Sequence, residues 1–416
     1  MTALPPPLAR LRAGLADPPA LVLAPDLSGR GRALLEEAGL PGPWLLLADE
    51  NTAPALGERL AAEIGGRLLR LRAPAATVEL AEALAGELDG VGTVVAVGGG
   101  TLCDLAKYAA HRAGRPCAVF ATAPSMNGWL TATASLARAG RKTSIPTAPP
   151  RAAFFDLGVL ARAPWRLRRA GLGDALCRTT VENDLRLAAC LLDRPFPAHV
   201  FAVQRGPERA VLARLDGLPA GETEAVRALV VWLLVQSLVM RGAGTSAPAS
   251  QGEHAVAHLL EEAGPAAGTP LHGEAVALAT LHLARLQARL LARPEPPPLR
   301  PLDADPAALA ARFGSRAAAA ARVLAEKGLA DPGRVAVLAE RLAAVWDLLR
   351  THHARTALPP ARLHRIFARA GLPRRPTELG CDATLFRRAM ADAFLFRSRF
   401  GWLDLAALAG LHAASA

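Results

Sequence analysis

The chain has 416 residues, about half of them apolar and 20% charged, with a formal net charge of +11. That length exceeds one ordinary hydrophobic core, so two domains are expected, and the composition excludes a disordered chain. The positive balance raises nucleic acid as a partner, but the arginines are spread out and one tyrosine supplies no basic-aromatic platform. Small anions such as phosphorylated metabolites and dinucleotides fit this field better, and no nucleic-acid partner is expected.

The amino terminus, MTALPPPLARLRAGLADPPA, lacks the apolar run of a signal peptide. Leu21–Leu27, Trp44–Asp49, Arg67–Arg72, Thr93–Val97 and Cys117–Ala121 read as β-strands, several of them nearly continuously apolar. Helix-compatible segments lie between them near 29–39, 53–64, 78–88 and 101–113. This alternation predicts an α/β domain whose parallel sheet is covered on both faces. Asp49 and Gly98–Gly100 then fall at strand carboxyl ends, where such sheets bind ligands.

The Thr-, Ser- and Gly-rich stretch 125–150 reads as a loop and hairpin leading to the second domain. After Asp156 the chain turns helical and alanine-rich, with helix starts expected near 164, 224, 251, 274, 306 and 383. The densest basic cluster, Arg166, Arg168 and Arg169 beside Pro164, reads as a solvated helix start. Ala228–Met240 around Trp232 is too short to span a bilayer, so it reads as a buried helix and no membrane insertion is expected. The proline-rich 293–301 reads as a surface loop. Cys103, Cys117, Cys177, Cys190 and Cys381 are widely spaced and odd in number, which suits reduced thiols in a cytoplasmic protein. Lysine occurs only at Lys107, Lys142 and Lys327, which favours specific roles for them over decoration.

Three elements can carry chemistry. In VVAVGGGTLCDLAKYAA a strand runs through three glycines into a helix, allowing close approach of a phosphate to free backbone amides. Thr101 and Asp104 have capping-box spacing for that helix. Asp49 suits a ribose hydroxyl or a simple turn. His254 and His258 stand four apart on one helix face, His272 follows, and Asp174 offers an oxygen ligand or a cap at a glycine-flanked helix start. Spacing alone does not join Asp174 to the histidines.

Taken in order, GGGTLCDLAKYAA, TAPSMNGWLTATASL, GRKTSIPTAPPRAAFFDLGVLARAP, AGLGDALCR, EHAVAHLL, LHGEAVALAT and RSRFGWLDLAALAG span most of the chain. Together they resemble the glycerol-1-phosphate dehydrogenase branch of the iron-containing alcohol dehydrogenase and dehydroquinate synthase superfamily. The resemblance implies a Rossmann-like nicotinamide dinucleotide-binding domain over residues 1–160 and an all-α metal- and substrate-binding domain over 161–416. It implies that Gly98, Gly99, Gly100, Thr101 and Leu102 hold the pyrophosphate of NAD or NADP. Thr122, Ala123, Pro124, Ser125 and Thr131 would line the cofactor further along. Asp174, His254 and His272 would ligate one divalent metal, zinc first, with nickel or iron also suited. His258 and Asn127 would contact a small phosphorylated polyol or ketone, as would Asp174, and Arg141 and Lys142 are first candidates for its phosphate. A homo-oligomer is compatible with this reading.

Two departures stand out. The family usually has an aspartate where this chain has Asn127, which implies an altered substrate or reduced polyol affinity. A lysine-like position is Arg178 here. Alternatives on the same scaffold are a metal- and NAD-dependent cyclase that eliminates phosphate, and a catalytically altered binding homologue.

Overall fold

Continuously apolar runs become parallel strands because only a strand covered on both faces can bury every side chain. In the computed structural model, which describes residues 4–264 and 270–411, these are β1 (Ala20–Ala24), β2 (Trp44–Asp49), β4 (Thr93–Gly98) and β5 (Cys117–Ala121), while β3 (Arg67–Leu71) is an edge strand with two exposed arginines. β1 stops short of its expected end because Leu27 turns its N–H onto Asp156 Oδ2 at 3.0 Å. The 125–150 stretch does contain a hairpin, β6 (Thr133–Arg138) and β7 (Arg141–Pro146). The strand that sequence reasoning missed is β8 (Ala152–Asp156). Its five residues are all buried, and Phe154 meets Phe120 with ring centroids 4.6 Å apart.

The parallel sheet has the order β1-β8-β5-β4-β2-β3. The chain leaves β2 outward to β3, but leaves β4 in the opposite direction to β5 and then β8. These diverging connections open a crevice at the carboxyl ends of β2 and β4, the switch point where such sheets take ligands. Helices Gly31–Glu37, Val78–Gly86 and Gly100–Arg112 lie close to their expected positions. The expected 53–64 helix is instead a π-helical turn, Ala53–Gly57, followed by an α-helix, Glu58–Ile64.

The chain groups into two units, one of Met1–Ala175 with Ala202–Ser246, the other of Leu176–Phe201 with Ala247–Ala416. Residues 161–175 and 202–246, beyond the expected boundary at 160, thus go with the sheet. The physical reason is helix Thr223–Ala243, which packs on helices Pro6–Ala13, Leu157–Arg162 and Trp165–Ala175. Among the described residues it is the one helix long and apolar enough to cross a membrane, and 72% of its most apolar window is buried.

Arg168 corrects the reading of the basic cluster as solvated. It is buried, donating to Pro219 O at 2.9 Å and to Ala161 O. Gly221, at φ +73°, makes room for it, since a Cβ there would lie 2.1 Å from Arg168 Nη1.

The second unit is helical. Helices beginning at Gly252, His272, Pro306 and Ala383 match four expected starts to within two residues. The 25-residue helix Pro332–Thr356 was not foreseen, although Asp331 caps it by accepting from Arg334 N and Pro332 opens it. Trp346 and Trp402 meet in the core with centroids 6.2 Å apart. The 293–301 stretch has no regular structure, and Arg300 N donates to Leu408 O at 2.8 Å.

In the first unit, Lys107 fixes the loop after β5. Its side chain is fully buried, and Nζ donates to Gly128 O at 3.1 Å and Thr133 O at 2.6 Å while pairing with Asp104 at 2.7 Å. Lys107→Met removes the ammonium from both carbonyls and from Asp104, and the single Thr131 hydroxyl can serve only one of the two carbonyls, so it should cost roughly 3 kcal/mol in urea unfolding. A loss near zero would mean the loop is held by other contacts.

Candidate active site

At the end of β4 the helix Gly100–Arg112 begins without a side-chain cap, with Gly99 at the N-cap position. The capping box expected from Thr101 and Asp104 is therefore absent. Thr101 already lies inside the first turn, and Asp104 turns to Lys107 instead. First-turn amides have no acceptor within their own helix, and an anion can satisfy them. The surroundings fit a pyrophosphate. A Cβ would lie 2.3 Å from Leu102 Cδ1 at Gly98, 3.3 Å from Ser125 Oγ at Gly99, and 3.3 Å from Met126 Sδ at Gly100. Side chains there would crowd the space that glycine leaves.

Thr122, Ala123 and Pro124 are buried beside this turn and Ser125 is half-buried, with Thr122 N donating to Gly98 O at 3.4 Å. Asp49 sits at the end of β2, where its Oδ1 accepts from Asn51 N at 2.9 Å and Thr52 N at 2.8 Å. One of its oxygens therefore builds the turn. Thr131 is buried, and its hydroxyl binds Gly128 O at 2.9 Å and lies 3.3 Å from Lys107 Nζ.

Asp174 is 1% exposed and belongs to the last turn of helix Trp165–Ala175, not to a helix start as expected. Gly171 allows that helix to press on the loop, since a Cβ there would lie 1.8 Å from Pro124 O. Asp174 Oδ2 accepts the Asn127 N–H at 2.9 Å. The Asn127 side-chain amide donates to Gln236 Oε1 at 3.1 Å, and Gln236 Nε2 donates to Ala175 O at 2.9 Å and Gln204 Oε1 at 3.2 Å. Sequence reasoning missed both glutamines. The available signal was a glutamine inside the apolar run Ala228–Met240.

Within the second unit the three histidines come together. His254 and His258 lie one turn apart on helix Gly252–Ala263, and His272 opens helix His272–Leu291. Ring centroids of His254 and His272 are 5.2 Å apart, and those of His258 and His272 are 5.3 Å apart. Two glutamates, neither singled out by the sequence, orient the rings. Glu253 Oε1 lies 2.9 Å from His254 Nδ1, and Glu261 Oε1 lies 2.6 Å from His272 Nδ1. Although burial opposes its charge, contact with His254 holds the Glu253 carboxyl below its usual range. A carboxylate on Nδ1 fixes the tautomer and leaves Nε2 as the lone-pair nitrogen, an arrangement that suits a divalent cation. His258 differs, because its Nδ1 is 3.5 Å from Glu261 Oε2. Burial holds the His258 imidazole well below its ordinary value, so it is neutral near pH 7.

Asp184 fixes the start of the first histidine helix. Its carboxyl accepts from Gly252 N at 3.2 Å and Trp402 N at 2.9 Å. Burial, with the charges of Glu253 and Asp404 adding, pushes its pKa up to about 8. Folding therefore favours the protonated form, and this contribution to stability falls as pH rises from 3.8 through about 8. Asp184→Asn keeps a neutral acceptor that cannot ionise. Its melting temperature should rise relative to wild type across that window, and the opposite trend would show an ionised native carboxylate.

Residues 22–164 match the iron-containing alcohol dehydrogenase family. The glycerol-1-phosphate dehydrogenase [NAD(P)+] of Thermococcus kodakarensis is 30% identical over 279 residues, 65% of this chain and 78% of that protein. Its counterpart from Hyperthermus butylicus is 34% identical over 255 residues, 60% of this chain and 72% of that protein. Among solved structures, a probable glycerol dehydrogenase from Sinorhizobium meliloti 1021 shares the fold, with a TM-score of 0.62 at 18% identity over 95% of this chain and 97% of that one. The diverging strand connections, the glycine turn and the oriented histidines thus occur in a chain that belongs to the glycerol-1-phosphate dehydrogenase family of iron-containing alcohol dehydrogenases.

Proposed function

We propose that this chain is a metal-dependent, NAD(P)-linked oxidoreductase that interconverts sn-glycerol 1-phosphate and dihydroxyacetone phosphate. One observation carries the reading: two clustered imidazoles, those of His254 and His272, each have Nδ1 tied to a carboxylate, of the buried Glu253 and the largely buried Glu261 respectively. That is how a protein prepares neutral nitrogen ligands for a catalytic cation.

Asp174, His254 and His272 are the proposed ligands, with zinc the expected ion and nickel or iron also suited to such donors. When bound, the cation polarises the substrate's C2 oxygen and the nicotinamide gives or takes the hydride. Gly98–Leu102 receive the pyrophosphate on backbone amides, and Thr122–Ser125 and Thr131 line the dinucleotide beyond it. The Asp49 oxygen not used in its turn is the candidate for a ribose hydroxyl. His258, neutral and with its Nδ1 3.5 Å from the nearer Glu261 oxygen, is placed to orient a substrate hydroxyl or carry its proton. Five free cysteines support a reducing, cytoplasmic setting.

Purified protein should consume NADH or NADPH with dihydroxyacetone phosphate, and a chelator should lower the rate at least about 100-fold, restorable by zinc. Release of inorganic phosphate without net cofactor consumption would instead identify a cyclase, and neither change would identify a binding protein.

Asn127 yields a second expectation. An aspartate there cannot donate to Gln236 Oε1, so Gln236 must turn its amide and give up Ala175 O. Asn127→Asp should change kcat/KM for glycerol 1-phosphate by about tenfold, the scale of one charge-assisted hydrogen bond. Unchanged kinetics would remove position 127 from the substrate site.

A further inference from the structure

Helix Thr223–Ala243 carries two adjacent, fully buried polar side chains in its apolar middle, Gln236 and Ser237. Such groups are tolerated there only with their hydrogen bonds made. Both make them to one stretch of the loop after β5. Ser237 Oγ accepts the Leu130 N–H at 2.8 Å, and Gln236 Oε1 accepts from the Asn127 side chain at 3.1 Å. The Asn127 N–H is held separately by Asp174 Oδ2 at 2.9 Å. Bonds to backbone N–H groups at 127 and 130 therefore place the loop, and the Gln236 contact is left to settle how the Asn127 amide is turned.

The direction of that turn follows from one carbonyl. Ala175 O can only accept, so the Gln236 atom 2.9 Å from it must be the donor Nε2. Gln236 Oε1 is then the atom that faces Asn127, and the Asn127 atom meeting it must be Nδ2. Gln204 Oε1, 3.2 Å from Gln236 Nε2, accepts from the same nitrogen. Asn127 is 7% exposed, and its Oδ1 is neither bonded to a described donor nor closed off from solvent. An acceptor held in this way reads donors. It gains from a hydroxyl and nothing from a methyl, an ether or a carbonyl in the same place. In a glycerol phosphate the C2 oxygen is a hydroxyl in the alcohol and a carbonyl in the ketone, so it donates in only one direction of the reaction. The C3 hydroxyl donates in both.

We propose that Gln236 is a positioning residue that holds the Asn127 amide with Oδ1 outward. Asn127 thereby selects substrates bearing a free hydroxyl on the carbon next to the one that is oxidised. This deepens the dehydrogenase reading and rests on it for the identity of the substrate, though not for the orientation of the amide.

The test divides kcat/KM for dihydroxyacetone phosphate by that for hydroxyacetone phosphate, whose third carbon is a methyl, using the full chain. Wild type should prefer the hydroxylated ketone about tenfold or more, since a site built around a hydrogen bond rejects the analogue that cannot make it. Gln236→Met no longer fixes the amide and should bring the ratio down to about threefold or less. Gln236→Glu still accepts from Asn127 Nδ2 and should keep most of the preference, although it loses the bond to Ala175 O and melts at a lower temperature. Ser237→Ala, which touches only the loop backbone, should lower the melting temperature and leave the ratio unchanged. A ratio that follows melting temperature across the three variants makes Gln236 a purely structural contact and overturns the proposal. So does a wild type that treats the two ketones alike. Should wild type turn over neither ketone, the dehydrogenase reading fails and binding decides the role of Gln236. The rise in melting temperature with sn-glycerol 1-phosphate should then exceed that with its 3-deoxy analogue in wild type but not in Gln236→Met, and equal rises in wild type overturn the proposal.

Discussion

A histidine serves a cation only when its ring is neutral and its lone pair is on the right nitrogen, and the proposed ligands His254 and His272 are arranged to meet that requirement. Glu253 is fully buried, and a buried carboxylate is tolerable only with its hydrogen bonds made. It has them: His254 Nδ1, the Gln251 N–H at 2.8 Å and the Thr180 hydroxyl at 3.1 Å. Asp184 then draws the first amide of the histidine helix and that of helix Trp402–Leu408 to one point. Gly401 permits this, because a Cβ there would lie 2.8 Å from the Asp184 carboxyl carbon. The ring positions are thus set by groups outside the proposed ligand set. Such preorganisation is what allows a site to bind and polarise without rearranging at each turnover.

For the dinucleotide site proposed in the first unit, backbone takes the place of carboxylates. Its proposed anion donors are amides at a helix start, so the controlling features are the ones that keep side chains away and hold the facing loop still. Glycines 98–100 supply the first, and Lys107 supplies the second by drawing Gly128 O and Thr133 O together beneath the loop. Gly171 extends the same logic to Asp174, whose helix could not approach Pro124 with any larger residue. Scarcity of lysine in the chain was a fair pointer here, though the role it marked is positional.

How much of this was legible in the sequence follows from the range of each interaction. Strand cores were readable because continuous apolar runs are a local signal, and β2 and β5 fall where that signal puts them. β8 was hidden because its five residues follow a proline-rich turn and acquire strand character only by insertion between β1 and β5. The histidines were visible as a spacing, with their roles supplied by family resemblance. Glu253, Glu261 and Gln236 were not, since each acts through residues that meet it only in the fold. Thr101 and Asp104 mark the opposite error, a correct local spacing overridden by Gly99 at the cap and Lys107 as the stronger partner.

Asn127 shows how such a hidden partner changes the meaning of a substitution. Taken alone, asparagine in place of aspartate removes one negative charge and weakens the pull on a substrate hydroxyl. In place, its amide is matched to Gln236, which is matched in turn to Gln204 and the Ala175 carbonyl, all buried. A half-satisfied buried network would be worse than none, so this set holds together as a unit. The Asn127 backbone still binds Asp174, as it would with either side chain. What differs is the side chain's remaining oxygen, Oδ1, which can accept a hydroxyl proton but brings no charge to the exchange. With position 127 in its proposed role, the substitution therefore alters the strength of polyol recognition while leaving the carboxylate at 174 supported.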